Sequence, residues 1–100
     1  MQQAQQVKEF VSKVTEILDE TPTVKSFKIE LQDKGIDFYP GQFFMVSFPD
    51  DPEIKTARAY SIASSPTEKK YLEIALNKVA EFTAKMFQLK PGDLLKLKGP

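Results

Sequence analysis

Arg58 and Tyr60 stand two residues apart in Arg58-Ala59-Tyr60-Ser61, and Arg58 is the only arginine among 14 basic residues, the rest being lysine. A single arginine against a lysine background points to a partner that needs its planar fork. That fork grips a phosphate through two parallel hydrogen bonds, where lysine offers a flexible point charge. If 57–63 is a strand, alternate side chains share a face, and Arg58 and Tyr60 point the same way about 7 Å apart, twice the rise per residue. One face then carries a phosphate clamp beside a flat ring suited to offset stacking. The pair fits a ligand with an aromatic ring system and a phosphate, such as a flavin nucleotide. A surface strand with an exposed arginine and a half-buried tyrosine would carry the same four letters, so the surrounding elements have to decide.

Those elements read mostly as strands. Val7 to Leu18 is rich in β-branched residues with polar ones interleaved, giving a first strand with imperfect alternation and room for a bend midway. Asp19-Glu20-Thr21-Pro22-Thr23 signals a turn, Pro22 fixing φ and removing a ladder donor. Phe27, Ile29 and Leu31 then alternate with Ser26, Lys28 and Glu30, the period-two pattern of a second strand with one wet face. A loop over 32–38 with Gly35 in its middle leads to Tyr39-Pro40-Gly41-Gln42, where proline followed by glycine predicts a type II turn. From Gln42 to Phe48 the next strand is apolar on both faces, with Phe43 and Met45 on one and Phe44, Val46 and Phe48 on the other, which predicts cover on both sides. Pro49-Asp50-Asp51-Pro52 ends it and opens a polar loop reaching Lys55.

Thr56 to Ser64 is the strand that carries Arg58 and Tyr60, and Ser65 to Lys70 turns the chain again. Leu72, Ile74 and Leu76 alternate with Tyr71, Glu73 and Ala75 in a fifth strand. Phe82, Met86 and Leu89 fall at i, i+4 and i+7, one stripe of a short helix over 82–89, with Thr83 as its expected N-cap. Lys90-Pro91-Gly92-Asp93 is a second Pro-Gly turn, before Leu95 and Leu97 alternate with Lys96 and Lys98 in a last strand. Six strands at short spacing with one helix before the last predict a mainly all-β fold, a small antiparallel barrel that closes its own edges.

Composition narrows the chemistry. One hundred residues make one domain, large enough for a single core and too small for two. Formal net charge is zero, so nothing argues for a nucleic-acid partner or an anionic membrane surface. With no cysteine and no histidine, disulfides, thiolate metal sites, protein-held iron–sulfur clusters and Ser-His or Cys-His nucleophiles are excluded, and no metal site is expected. Redox chemistry in such a chain has to come with a cofactor. The first six residues are polar and without an apolar run, so 1–6 is expected to be a loosely ordered tail and 7–100 the domain. No run of eighteen apolar residues appears, and a soluble cytoplasmic protein is the default expectation.

Arg58-x-Tyr60-Ser61 followed by Ile-Ala-Ser-Ser-Pro resembles the flavin-binding signature of the ferredoxin-NADP reductase superfamily. Tyr39-Pro40-Gly41-Gln42-Phe43 upstream resembles a family landmark too. So does Leu89-Lys90-Pro91-Gly92-Asp93 through Lys98-Gly99-Pro100 downstream, in the family's order and spacing across most of the chain. The resemblance implies a six-stranded Greek-key barrel with one capping helix. It implies that Arg58 binds the flavin's phosphate, Tyr60 packs on the isoalloxazine and Ser61 hydrogen-bonds near its reactive edge, Ala59 contributing backbone. A serine there can stabilise changing charge where hydride enters or leaves, and a tyrosine can exclude water from one ring face. Tyr60 and Ser61 are thus the expected catalytic residues. The family's Gly-x-x-Ser/Thr at the helix start is matched here by Ala80-Glu81-Phe82-Thr83, in which Thr83 fits and Ala80 does not. Glu81, Phe82 and Thr83 join the expected cofactor-binding set, and Ala75, Leu76 and Asn77 align with the strand whose backbone meets the flavin.

The implied function is the FAD-binding domain of an NAD(P)H-dependent oxidoreductase, passing electrons between a nicotinamide nucleotide and a one-electron carrier such as ferredoxin or another iron–sulfur protein. FMN is the alternative cofactor. Nothing in the chain resembles a Gly-rich dinucleotide loop, so the NAD(P)-binding domain is expected C-terminal to it or on another chain. The alternative of another class is a non-catalytic small barrel that binds a ligand or a partner protein, with Arg58 and Tyr60 as ordinary surface residues.

Overall fold

Period-two patterning is realised as strands among the described residues. The computed structural model describes residues 8–31, 37–39, 41–49, 51 and 56–100, and within them the chain forms β1 (Lys8–Thr21), β2 (Val24–Glu30), β3 (Phe43–Ser47), β4 (Arg58–Ser61), β5 (Tyr71–Asn77), α1 (Glu81–Phe87) and β6 (Leu94–Gly99). The six strands lie in the order β4-β3-β6-β1-β2-β5, and every pairing is antiparallel. The first strand holds this sheet together by changing partner. Lys8 to Lys13 pair with β6, Val14 to Thr21 pair with β2, and the register slips between Val14 and Glu16. That slip is the bend which the imperfect alternation foreshadows, since an extra residue in one strand curls the sheet locally.

The expected turn after Leu18 is tighter than its sequence signal. Thr21 pairs with Val24, leaving Pro22 and Thr23 as the whole connection, with Thr21 Oγ1 accepting from the Thr23 N–H at 3.2 Å. At the two Pro-Gly sites the described residues turn as expected, Pro40 lying outside them. Gln42 N–H donates to Tyr39 O at 3.1 Å across a glycine at φ +89, and Asp93 N–H donates to Lys90 O at 3.0 Å across Gly92 at φ +101.

The two ends of the sheet order, β4 and β5, approach each other beyond Ser61. There the Ala63 N–H donates to Glu73 O at 2.7 Å, and Ser64 Oγ accepts from the Glu73 N–H at 3.0 Å. The barrel is therefore nearly closed. Among the described residues no backbone bond joins Arg58–Ser61 to Ala75–Asn77, so a seam runs between those two edges. Phe27, Ile29, Phe44, Val46, Leu72, Ile74, Leu95 and Leu97 are fully buried or nearly so inside, and α1 adds Phe82 and Met86, with Leu89 packed at the margin.

Three expectations are corrected. The Phe43 and Met45 face is not covered on both sides, since Phe43 is 51% exposed and Met45 half-buried while Phe44 and Val46 are at 0%. A strand in a single rolled sheet has one face to the interior, and apolar residues on the other remain in contact with water. The helix spans Glu81–Phe87 rather than 82–89, and its N-cap is Ala80, in extended backbone at φ −155, with Thr83 three positions further on. The strand bearing Arg58 is short, Arg58–Ser61 rather than 56–64, because the chain leaves β3 at Ser61 to meet Glu73. The readings of the first six residues, of Gly35 and of Asp50, Pro52 and Lys55 in the polar loop lie outside the described residues. Among the described residues no helix is long and apolar enough to cross a membrane.

Candidate functional site

Register places the two residues that carry the chemistry. Val46 faces Arg58 and Phe44 faces Tyr60 across the β3–β4 ladder, so Arg58 and Tyr60 lie on the side of β4 that turns toward the barrel interior. Because β4 ends the sheet order, that side opens at the seam, which leaves Arg58 exposed and Tyr60 half-buried. Phe82 rises from the first turn of α1 into the same place, 2% exposed, with its ring 6.2 Å from that of Tyr60 and 4.8 Å from that of Phe48. The Arg58 guanidinium carbon lies 5.9 Å from the centre of the Phe82 ring. Three of the expected site residues therefore meet.

Electrostatics at this spot are simple. Burial pushes the Tyr60 phenol above its ordinary range and the Arg58 charge pulls it back in part, so Tyr60 is neutral and a hydrogen donor at any ordinary pH. Together they offer a fixed positive charge next to a flat, partly dry, neutral ring.

Other expected residues are spread around the seam. Ser61 and Ala59 point to the opposite side of β4 from Tyr60, beside Phe43 and Met45, and both are exposed. On β5, Leu76 is buried at 5% while Ala75 and Asn77 are exposed. One backbone edge of β5 is taken by β2, through Ala75 opposite Ser26 and Asn77 opposite Val24, and the other faces the seam. Glu81 is exposed in the first helical turn. The Thr83 hydroxyl is engaged inside the chain, accepting from Val79 N–H at 2.8 Å and Ala80 N–H at 2.9 Å and donating to Ala80 O at 3.0 Å. Thr83 thus fastens the loop before the helix, and what it has left for a ligand is its backbone.

Two lysines that no sequence pattern marks hold the helix against the barrel. Lys25 Nζ donates to Phe87 O at 3.4 Å, lies 5.1 Å from the centre of the Phe87 ring and pairs with Asp19 at 3.6 Å, a cation placed at the carbonyl end of the helix. Lys85 pairs with Asp51 at 3.4 Å and ties the helix to the chain after β3. Lys25 looks from sequence like one more polar residue of a strand, and its contact to Phe87 spans 62 residues, which no local pattern records.

Taken together, an exposed guanidinium, a neutral half-buried phenol and two open backbone edges fit a planar, hydrogen-bonding ring system that carries phosphate. The donor set fits FAD or FMN, and the exposed carboxylate of Glu81 opposes an anion at the helix start unless it points away.

Comparison with known proteins agrees in kind. A family model described as the oxidoreductase FAD-binding domain matches residues 9–100. The phenol hydroxylase P5 protein of Acinetobacter pittii (strain PHEA-2) is 38% identical over 97 residues, covering 94% of this chain and 26% of that protein. A probable dihydroorotate dehydrogenase B (NAD(+)) electron transfer subunit from Methanocaldococcus jannaschii is 38% identical over 93 residues, covering 93% of this chain and 31% of that protein. Among solved structures, the ferredoxin reductase in carbazole 1,9a-dioxygenase superposes with a TM-score of 0.79 at 26% identity, over 94% of this chain and 29% of that one. The chain thus spans between a quarter and a third of the curated relatives it matches.

Proposed function

The chain belongs to the family of oxidoreductase FAD-binding domains, and we propose on that footing that it holds the flavin of an oxidoreductase in which electrons pass between NAD(P)H and a one-electron carrier. The observation that carries this reading is the meeting of Arg58, Tyr60 and Phe82 at the open seam between β4 and β5. Arg58 binds the phosphate of FAD through its fork, and Tyr60 covers one face of the ring and keeps water from it. Ser61, exposed at the end of β4 on the side opposite Tyr60, would meet the reactive edge where the ring passes the end of the strand. The free backbone edge of Ala75, Leu76 and Asn77 would pair with polar atoms of the ring, and the first-turn amides of Glu81, Phe82 and Thr83 would be the further donors for the phosphates. When bound, FAD supplies the exchange between two-electron and one-electron chemistry that these side chains lack.

FAD is preferred to FMN because the family is described by it. The carrier is an iron–sulfur protein such as ferredoxin, a reading supported by relatives named as an electron transfer subunit and a ferredoxin reductase. The nicotinamide is held by another domain, since the relatives are three to four times the matched length.

Hydride transfer needs the nicotinamide within about 3–3.5 Å of the flavin, and that positioning supplies much of the rate. The flavin-loaded chain should therefore be bleached by dithionite yet react with NADH or NADPH no faster than free FAD does. Anaerobic rapid mixing with each reductant reads this out. Fast, saturable bleaching by either dinucleotide would place a nicotinamide site within these residues and overturn the division of labour.

A further inference from the structure

Arg58 is a long, exposed side chain on a four-residue strand at the end of the sheet order. Such a side chain samples many rotamers in water, and a ligand that grips it has to freeze them, which weakens binding unless something has frozen them already. Surface arginines are commonly steadied by a carboxylate. Among the described residues the ion pairs all belong to lysines, at Lys25, Lys28, Lys69, Lys85 and Lys96. Among the described residues the ring of Phe82 meets the Arg58 guanidinium, its centre 5.9 Å from Cζ, within the range where the negative face of an aromatic ring attracts a cation.

We infer that Phe82 is a positioning residue for Arg58, its ring face holding the guanidinium ready for the phosphate of the ligand. The inference rests on the proposed reading that Arg58 meets that phosphate. An aromatic shelf suits the task better than a carboxylate would. It restrains the cation without neutralising it and without using up the five in-plane N–H donors, so the fork stays available.

The shelf itself is fixed. Phe82 is 2% exposed and packs against Phe48, at 4.8 Å and 41°, and Tyr60, at 6.2 Å and 33°. The helix that carries it is fastened at its far end by Lys25 and to the chain after β3 by Lys85. Position thus passes from the helix to Phe82 and from Phe82 to Arg58, while Tyr60 is held against the same ring. A leucine at 82 would still fill the core but offers no ring face to a cation.

The sole arginine gives a single Nε–H signal, so the test begins in the ligand-free protein. The side-chain protons of Arg58 should be shifted upfield by the ring current of Phe82, and the shift should vanish in Phe82→Leu. FAD and riboflavin are then titrated into the wild type, Phe82→Leu, Arg58→Ala and the double variant. Phe82→Leu should weaken FAD about two- to fivefold more than it weakens riboflavin, which has no phosphate, the excess being the range of an exposed cation–π contact. Adding Phe82→Leu to Arg58→Ala should cost FAD no more than Phe82→Leu costs riboflavin. Equal weakening of FAD and riboflavin by Phe82→Leu, or an FAD-specific loss that persists in the double variant, would reduce Phe82 to core packing and overturn the inference while leaving the phosphate role of Arg58 intact. If Arg58→Ala itself fails to separate FAD from riboflavin, the phosphate reading falls and this inference with it. Should Phe82→Leu not fold, unshifted Arg58 protons in the wild type would suffice to overturn it.

Discussion

Gly99 offers the sharpest test of how the barrel positions Tyr60. It closes β6 opposite Lys8, at φ +149, and a Cβ there would lie 3.0 Å from the Phe43 carbonyl oxygen, 3.2 Å from Phe44 Cδ1 and 3.4 Å from Phe44 Cα. Gly99→Ala therefore meets two costs. Backbone in a region that L-residues rarely adopt costs about 1–3 kcal/mol. Overpacking against main chain, which cannot swing aside as a side chain can, costs about 1–3 kcal/mol more. Gly92→Ala is the matched control, since Gly92 sits at φ +101 with nothing within 4 Å of the added carbon and should carry the backbone cost alone. The two variants should differ in urea unfolding by about 1–3 kcal/mol, and each kcal/mol should lower Tm by roughly 4–8 °C in a domain of this size. Phe44 pairs with Tyr60, so Gly99→Ala should also weaken flavin binding, whereas Gly92→Ala should not. Equal stability losses in the two variants would refute the close approach of β6 to β3.

Three further outcomes follow from single contacts. Arg58→Lys keeps the charge and loses the fork, so FAD should weaken by roughly 1–3 kcal/mol with an unchanged circular dichroism spectrum, checked by calorimetry. Burial raises the Tyr60 phenol against the pull of Arg58, so the folded state holds that proton more tightly than the unfolded chain. Its stabilising share is whole below the ordinary tyrosine value of about 10 and is lost as pH rises through the higher folded value. Tyr60→Phe should flatten that alkaline decline in a pH series of unfolding curves. Lys25→Met removes the cation from the end of α1 and should lower stability by roughly 0.5–1.5 kcal/mol, with faster amide exchange across Glu81–Phe87.

Much of the fold is written in local patterns. Alternation placed Leu72, Ile74 and Leu76 inside, and the i, i+4 spacing put Phe82 and Met86 on the buried stripe of the helix. Pro-Gly marked two turns. Period two brought Arg58 and Tyr60 to one face, and the ladder to Phe44 and Val46 keeps them there. What local pattern cannot carry is which neighbour lies across the sheet. Phe43 and Met45 read as buried because apolar letters look alike whether the second face is packed or wet. Thr83 has the letter of an N-cap, but the chain enters the helix at Ala80 and uses the threonine hydroxyl from inside the first turn. The shelf under Arg58 joins residues 24 positions apart and became visible only when β4 and α1 were brought to one seam.

The central claim, that this seam holds a flavin through its phosphate and its ring, is tested most directly by titrating FAD, FMN and riboflavin in parallel into the purified wild-type chain and following flavin fluorescence. The account predicts saturable quenching at one FAD per chain, with Tyr60 against the ring. Riboflavin, lacking the phosphate that Arg58 grips, should bind roughly tenfold or more weakly. Equal affinity for all three ligands, or no quenching at all, would contradict it.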